Sequence, residues 1–560
     1  MPDIDALSRV ARCLLAGVAS LLAAGCLGED PEIAITILGT TDVHGHLVPY
    51  DYATDEPTEN SLAQVATLVD SVRRVSPNVI LVDSGDLLQG TPLDEYQARV
   101  GADPTHPVVA AMNLLEYDAS AIGNHEFNYG IPFLESALEG AAFPFLAANI
   151  YVEDTDELRF PPYRIVDRGG IRVGILGLTT PGVTIWDRRN VEGRLRFEDM
   201  VVSARRWLGE LEREAPDVVV VIAHAGLGPG SSYDESSGVP EENPLARLAV
   251  EVPGIDVIFA GHTRSAIPGE RIGGALVLHA GAHADHLAVA ELTVRRTAAG
   301  TEVVSSGQTI ETAGVPPHPA VLEIATPAHD RAVAWLGVPI GYTPDAWSAS
   351  TGRLEDTPIA DLIARTQIAV TGAQLSASAI FRTRSAFGPG PITRRDILGL
   401  YTYPNTLRAI RITGAQLRAY LERSSEYYRT LPAESPTNPT IPGYNFDMID
   451  GVDYALDLTR PIGRRVVELT HSGAPVADSD VFTLALNNYR QGGGGGFDML
   501  QDAPVIYLDE VDVASRIVDY VVERDTLRTS DVFIDNWELR PVARTEQLRR
   551  EALREASGGR

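Results

Sequence analysis

Five short stretches of this chain end in side chains able to hold a cation or pass a proton. They are TTDVHGHL (41–48), with Asp42 and His44; DSGDLLQG (83–90), with Asp86; AIGNHEFNYG (121–130), with Asn124, His125 and Glu126; AHAG (223–226), with His224; and AGHT (260–263), with His262. Carboxylates, an amide oxygen and imidazoles are the donors that a pair of divalent cations accepts, with one carboxylate often bridging both. Such a pair activates water and neutralises the charge that develops on phosphorus as a phosphoester is cleaved. Taken singly, each of these residues reads as an ordinary strand-end side chain satisfied by its neighbours. Five together are harder to explain as packing, because buried acids and imidazoles without partners carry a large desolvation penalty.

The elements that must position them are apolar runs. IAITILGT (33–40), NVILVDSGD (78–86), ASAIGNHE (119–126), IRVGILGLTT (171–180), PDVVVVIAHAG (216–226), IDVIFAGHT (255–263) and ALVLHAGAH (275–283) read as buried strands from their length and β-branched content. SLAQVATLVDSVRRV (61–75) and DMVVSARRWLGELERE (199–214) have helical periodicity. Alternation of the two predicts parallel pairing in a layered α/β domain over 32–312, with the chemistry gathered at the carboxyl ends of the strands. Residues 313–344 are punctuated by proline and read as a linker holding one bridging helix. A second domain over 345–543 opens on a helix in TPIADLIARTQIAVTGAQLS, and a charged tail, 544–560, carries no chemistry.

Length and a 44% hydrophobic content are enough for two or more buried cores. A formal charge of −30 argues against nucleic-acid polymers and anionic membranes as partners, and any phosphate site must be locally positive. The chain has no lysine, so its fixed cations are arginines, which suit bidentate phosphate contacts. Residues 1–26 read as an export signal, since Arg9 and Arg12 precede CLLAGVASLLAAGC, too short for a comfortable membrane span. The ending LLAAGC resembles the lipobox of bacterial lipoproteins, with Cys26 as the acylated residue, although Ala23 stands where leucine is commonest; simple cleavage near Ala24 is the alternative. The expected location is therefore periplasmic or outer-surface, with membrane attachment only through that lipid. Cys13 and Cys26 are the only cysteines, so the mature chain has no internal disulfide. No obligate protein partner is implied.

DVHGH, SGD, GNHEF, AHAG and GH, in this order, resemble the calcineurin-like metallophosphoesterase domain of the 5′-nucleotidase family. YPNTLRAIRITGAQLRAYLE, YNFDMIDGVDYALDLT and LALNNYRQGGGGGF resemble that family's C-terminal nucleotide-binding domain. The resemblance implies a four-layer α/β metallophosphoesterase domain, with β-sheets flanked by helices, followed by a second α/β (α+β) domain. It also implies two divalent ions (Zn, Mn, Co or Fe) and small-molecule nucleotide substrates. Residue by residue, it gives one ion to Asp42, His44 and Asp86, and the other to Asp86, Asn124, His224 and His262. His125 becomes the transition-state stabiliser or proton donor, and Asn128 stands where 5′-nucleotidases carry the aspartate that orients it. Tyr403 and Tyr489 match the aromatic base clamp. Gly495 matches a position where 5′-nucleotidases hold ribose through Asp. Arg264 stands where a first-ion ligand is usual and cannot ligate a cation, so phosphate contact is its expected role, with His46 and His286 as candidate replacement ligands.

The wording GNHEFNYG, YNFDMIDG and NNYR is similar to the 2′,3′-cyclic-nucleotide 2′-phosphodiesterase/3′-nucleotidase branch. The activity expected is hydrolysis of 2′,3′-cyclic nucleotides to 3′-nucleotides and then to nucleosides and phosphate. A 5′-nucleotidase or UDP-sugar hydrolase is the alternative within the family, and a surface nucleotide-binding protein with impaired catalysis the alternative outside it.

Overall fold

Apolar side chains alternate with a period of two along the strands of the first unit, and this sets its layers. Ile35, Ile37, Ile80, Val82, Ile175, Val220, Ile222, Phe259 and Leu278 share one core between two six-stranded sheets. The computed structural model describes residues 32–558 apart from 102, 229–232, 234–237, 298–299, 404 and 434, so the export segment with Cys13 and Cys26 lies outside the described residues.

The first sheet runs in the order Gly300–Glu311, His286–Thr297, Glu32–Thr40, Val79–Asp83, Ala119–Ala121, Phe145–Leu146. Glu32–Thr40 lies parallel to Val79–Asp83, with Thr36 opposite Val79, and antiparallel to His286–Thr297, with Ile37 opposite Ala290. The second sheet runs Ile267–Ile272, Ala275–His279, Val257–Ala260, Val218–His224, Ile171–Thr179, Tyr163–Arg168. Its inner strands are parallel, with Val220 between Ile175 and Val257. Helices cover the outer faces. Leu62–Arg73 starts on Ser61, whose hydroxyl accepts from Gln64 N, and buries Val65, Leu68, Val69 and Val72. Met200–Leu211 starts on Asp199, which accepts from Val202 N, and packs Ala204, Leu208 and Leu211 against Leu176 and Val221 of the second sheet.

Two features depart from the sequence reading. The strands stop short of the chemistry: Val79–Asp83 ends three residues before Asp86, and Ala119–Ala121 ends before Asn124. The sheets are also mixed, because the long pair His286–Thr297 and Gly300–Glu311 forms an antiparallel edge that the parallel reading did not contain.

The chain divides into one unit ending at Ala332, apart from Tyr52–Thr54, and a second holding those three residues and everything from Val333. The division falls inside the helix Pro319–Leu336. The strand Pro339–Thr343, in the segment read as linker, pairs with Gly390–Thr393 of the second unit. That unit is built on a five-stranded sheet ordered Asp447–Asp450, Leu375–Ala379, Val481–Asn487, Thr406–Thr413, Val505–Asp512. The helix Pro358–Thr371 contributes Ile359, Leu362 and Ile363 to its core, together with Ile410, Leu484 and Leu486 from the sheet.

Candidate metal centre

Backbone conformation marks the centre before any side chain is considered. Asp42, His44, Asp86 and His262 all have left-handed φ, at 49°, 48°, 63° and 72°. Non-glycine residues adopt this region at a cost, and several together signal that the surrounding structure holds them there. Hydrogen bonds between the loops do so: Asp42 N donates to Gly85 O, His44 N to Asp86 O, and His283 N to Asp42 O.

The sixth candidate of the opening motifs, Glu126, explains how Asp86 is presented. Its buried carboxylate accepts from four backbone N–H groups, those of Asp86 (2.9 Å), Leu87 (2.6 Å), Leu88 (3.2 Å) and Gly123 (2.6 Å). Glu126 is thus a brace for the Asp86 loop. At Gly123 any Cβ would lie 2.2 Å from Asp86 Oδ1, so only glycine admits this approach.

The remaining contacts aim the donors inward. Asp42 Oδ2 accepts from Thr41 Oγ1 (2.6 Å) and His262 N (3.0 Å), leaving Oδ1 buried with no hydrogen-bond partner. His44 Nδ1 donates to Gln89 O (2.8 Å), leaving Nε2 buried and likewise without one. These atoms and Asp86 form a cluster whose ligand atoms lie within 4.8 Å of one another. A second cluster shares Asp86: His224 Nε2 lies 3.0 Å from Asp86 Oδ2 and 3.0 Å from Asn124 Oδ1, and His262 Nδ1 lies 3.0 Å from the same amide oxygen. The orphaned Asp42 Oδ1 and His44 Nε2 of the first cluster fit a divalent cation, which would occupy otherwise unpaired buried polarity, and the second cluster presents the same donor types. The acids and imidazoles also pair with one another, and a cation held by His224 would have to displace its second proton. Against the opposing effect of burial, His44 and His224 hold the Asp42 carboxyl well below its usual range, and His224 and His125 do the same for Asp86. His224, which burial alone would pull down, is pushed up to about 10 by Asp86 and Asp42.

His125 sits beside both clusters, its Nε2 3.9 Å from Asp86 Oδ2 and its Nδ1 2.6 Å from Asn128 Oδ1. Burial pulls this ring down to about 4, with His44 and Arg264 adding to that and Asp86 opposing it. Arg264 stands at the mouth, half-exposed, with Nη2 3.5 Å from His125 Nε2 and Nε 3.9 Å from Asp42 Oδ1. Neither candidate replacement ligand joins a cluster: His46 directs Nδ1 at the carbonyls of Val43 and His44 and stacks on His283, while His286 lies against Asp285.

Two further acids went unnoticed in the sequence. Glu242, buried, accepts from His262 Nε2 at 2.9 Å, which turns His262 Nδ1 toward Asn124. Asp187, fully buried, accepts from Asn128 Nδ2 at 2.8 Å.

In the second unit Tyr403 and Tyr489 are 44% and 47% exposed, unusual for large aromatics and suited to a ligand's face. Tyr403 meets Phe381 and Tyr444 edge-on, and partial burial together with Tyr444 and Tyr489 pushes its hydroxyl up. The motifs YNFD and NNYR meet through a buried bidentate pair: Arg490 Nε and Nη2 donate to Asp447, each at 2.8 Å. Arg490 also holds Gly494 O, and Arg423 holds Gly495 O. Gly495 has φ +80°, and a Cβ there would lie 2.5 Å from Asn445 Oδ1 and 2.7 Å from Arg490 Nη1. This packing excludes an aspartate at position 495 in the observed loop.

Among the described residues no helix is long and apolar enough to cross a membrane. Residues 35–265 match the calcineurin-like phosphoesterase family, and residues 339–502 match the 5′-nucleotidase C-terminal domain. The 2′,3′-cyclic-nucleotide 2′-phosphodiesterase/3′-nucleotidase of Haemophilus influenzae is 30% identical over 88% of this chain and 84% of its own. The trifunctional nucleotide phosphoesterase protein YfkN of Bacillus subtilis is 30% identical over 92% of this chain, which spans only 39% of that protein. The solved 5′-nucleotidase precursor of Thermus thermophilus superposes with a TM-score of 0.54 over 90% of this chain and 99% of its own, at 24% identity, which speaks to the fold. Both domain matches, in the same order as the two units, and the length of the H. influenzae alignment lead to one conclusion: the chain belongs to the calcineurin-like metallophosphoesterases that carry a 5′-nucleotidase C-terminal domain.

Proposed function

We propose that this enzyme hydrolyses 2′,3′-cyclic nucleotides to 3′-nucleotides and then removes the 3′-phosphate. The observation that carries the reading is the pair of inward-facing donor clusters sharing Asp86, with His125 beside both. Asp42, His44 and Asp86 would hold one divalent cation, and Asp86, Asn124, His224 and His262 the other. Bound there, the cations supply Lewis-acid stabilisation and an activated water. Arg264 contacts the phosphate oxygens from the mouth. In the first step water adds to phosphorus, the P–O2′ bond breaks, and His125 gives O2′ its proton; the second step repeats this at O3′. The anionic phosphate adds the negative charge that favours a second proton on this ring. Tyr403 and Tyr489 stack the base, each face contributing about 1–3 kcal/mol. The H. influenzae relative's activity supports the cyclic substrate, and so does glycine at position 495, where 5′-nucleotidases hold free ribose hydroxyls through Asp. The reading also includes export and a lipid anchor at Cys26.

The test is parallel turnover of 2′,3′-cyclic AMP, 3′-AMP and 5′-AMP by chelated protein refilled with Mn, Zn, Co or Fe. Fastest turnover of 5′-AMP would move the protein to the 5′-nucleotidase reading, and no turnover with any metal would leave only a nucleotide-binding protein.

A further inference from the structure

Behind His125 lies a chain of polar contacts that ends in a buried carboxyl group. His125 Nδ1 is 2.6 Å from Asn128 Oδ1, Asn128 Nδ2 donates to Asp187 Oδ2 at 2.8 Å, and Asn190 Nδ2 donates to Asp187 Oδ1 at 3.0 Å. Both oxygens of Asp187 therefore accept an amide N–H, and the side chain is fully buried. An amide has a donor end and an acceptor end, and which one faces a neighbour is decided by the network around it. Burial pushes the Asp187 carboxyl up to about 7, with the Asn190 and Asn128 amides opposing it, so above that pH it is a carboxylate with no donor to offer. Only the NH₂ end of Asn128 can face it, so the oxygen end must face His125, and that oxygen can accept only from an Nδ1–H.

We propose that Asp187 is a positioning residue that fixes the orientation of the Asn128 amide and thereby keeps the hydrogen of His125 on Nδ1. This rests on the role given to His125 above. The consequence is specific. With an acceptor at Nδ1 the ring can carry a hydrogen on each nitrogen and present Nε2–H to the leaving oxygen. With Asn128 turned over, its NH₂ would face Nδ1, and the ring could not hold both hydrogens without setting two donors against each other. The carboxyl group that 5′-nucleotidases are expected to place directly on the histidine is here one side chain further out, reached through an amide. Asp187 and Asn190 are held together by their own backbone, Asn190 N donating to Asp187 O at 2.7 Å, so the acceptor is fixed in place before substrate arrives.

D187N removes the constraint, because an amide at 187 accepts one N–H and opposes the other. The experiment compares wild type, D187N, N128D, the charge-swapped N128D/D187N, and H125A, all with matched metal content and melting temperature. Each is assayed on 3′-AMP and on 4-nitrophenyl phosphate, whose leaving group needs little protonation. D187N should lower kcat on 3′-AMP by at least about tenfold, within the ~100- to 10,000-fold that a positioned general acid contributes, with KM little changed. Its loss on the nitrophenyl ester should be several times smaller. N128D/D187N, which puts a carboxylate on Nδ1 and an amide behind it, should recover most of the lost kcat. Should D187N not fold, the double variant is compared with N128D, which sets two buried carboxylates together and should be the poorer enzyme. The proposal is overturned if D187N matches wild type on 3′-AMP, if both substrates suffer equally, or if the swap gives no recovery. If H125A itself turns over 3′-AMP normally, the role of His125 falls and this proposal with it; a defective H125A beside a normal D187N sinks this proposal alone.

Discussion

Replacing Glu126 with glutamine changes one atom and should disable the Asp86 loop. Glu126 Oε1 accepts from Leu87 N and Leu88 N, and Oε2 from Asp86 N and Gly123 N. Glutamine keeps one acceptor oxygen and sets an NH₂ group against the other pair of N–H donors. Hydrogen bonds to a charged acceptor contribute about 1.5–3 kcal/mol each, so losing two costs ~3–6 kcal/mol. Part of this is offset. Burial and the Asp86 charge both push the Glu126 carboxyl up, and the amide is relieved of those penalties. The net expectation is ~2–4 kcal/mol, a large share of the roughly 5–15 kcal/mol that separates folded from unfolded protein. The side chain is 1% exposed, so solvent does not dilute the effect. Urea unfolding of the chelated protein, followed by circular dichroism, measures this directly, and dialysis against a graded metal buffer measures how well the loosened loop still presents Asp86. Glu126→Ala, which leaves four N–H groups unpaired, should cost more than Glu126→Gln. A loss below about 0.5 kcal/mol for glutamine, with unchanged metal retention, would refute the bracing role, since no arrangement of one amide satisfies four donors.

Glu242→Gln should weaken divalent-cation binding by about 10- to 100-fold, the usual effect of removing the carboxylate that orients a ligating imidazole; chelator competition measures it, and unchanged affinity would mean that His262 is oriented without Glu242. The second unit should grow more stable as pH falls from about 8 toward 4, because burial and neighbouring acids push Asp361 up to about 8 and Asp356 up to about 7. Folded pKa values above the unfolded one mean that the native form binds more protons in this window, so stability falls as pH rises through it. Asp361→Asn, whose oxygen can still accept from Ile534 N, should raise the melting temperature at pH 8 and flatten the pH profile; a steeper profile would contradict the sign.

What the sequence disclosed and what it hid follow one physical division. Strand-end ligands were legible because an apolar run of β-branched residues followed at once by acid or histidine is a local pattern, and the six ligand candidates lie together in the first unit. The edge pair His286–Thr297 and Gly300–Glu311 was not, because the inward face of the outer strand is only partly buried and, beyond Val303, carries Ser305 and Gly307 in place of apolar residues, so the period-two signal is weak. Glu126 was visible but its role was not, since its four partners are backbone groups, three of them from another segment, and no side-chain pattern announces a backbone acceptor. Glu242 and Asp187 were invisible for a plainer reason. Among 76 acidic residues, only three-dimensional contact distinguishes the two that stand behind His262 and Asn128. Asn128 was legible as standing in place of an orienting aspartate, and the structure adds the buried carboxyl group of Asp187 one contact behind it.

Arg264 is where these arguments meet. The pocket carries Asp42, Asp86 and Glu126 at its heart within a chain of net charge −30, so its own field opposes any phosphate. On the proposed reading cations reverse that field, and a usual ligand position given to arginine removes one donor from the first of them. The same change places a permanent guanidinium between Asp42 and His125, in reach of the groups that would flank the substrate's phosphorus. An arginine keeps its charge at any working pH and offers paired donors that match phosphate oxygens, which neither histidine nor glutamine does. On that reading the arginine exchanges cation affinity for direct phosphate affinity. It follows that Arg264→His should bind the first cation more tightly while raising KM for phosphoesters; an unchanged or lower KM would refute the phosphate contact, and unchanged cation affinity would refute the lost-ligand argument.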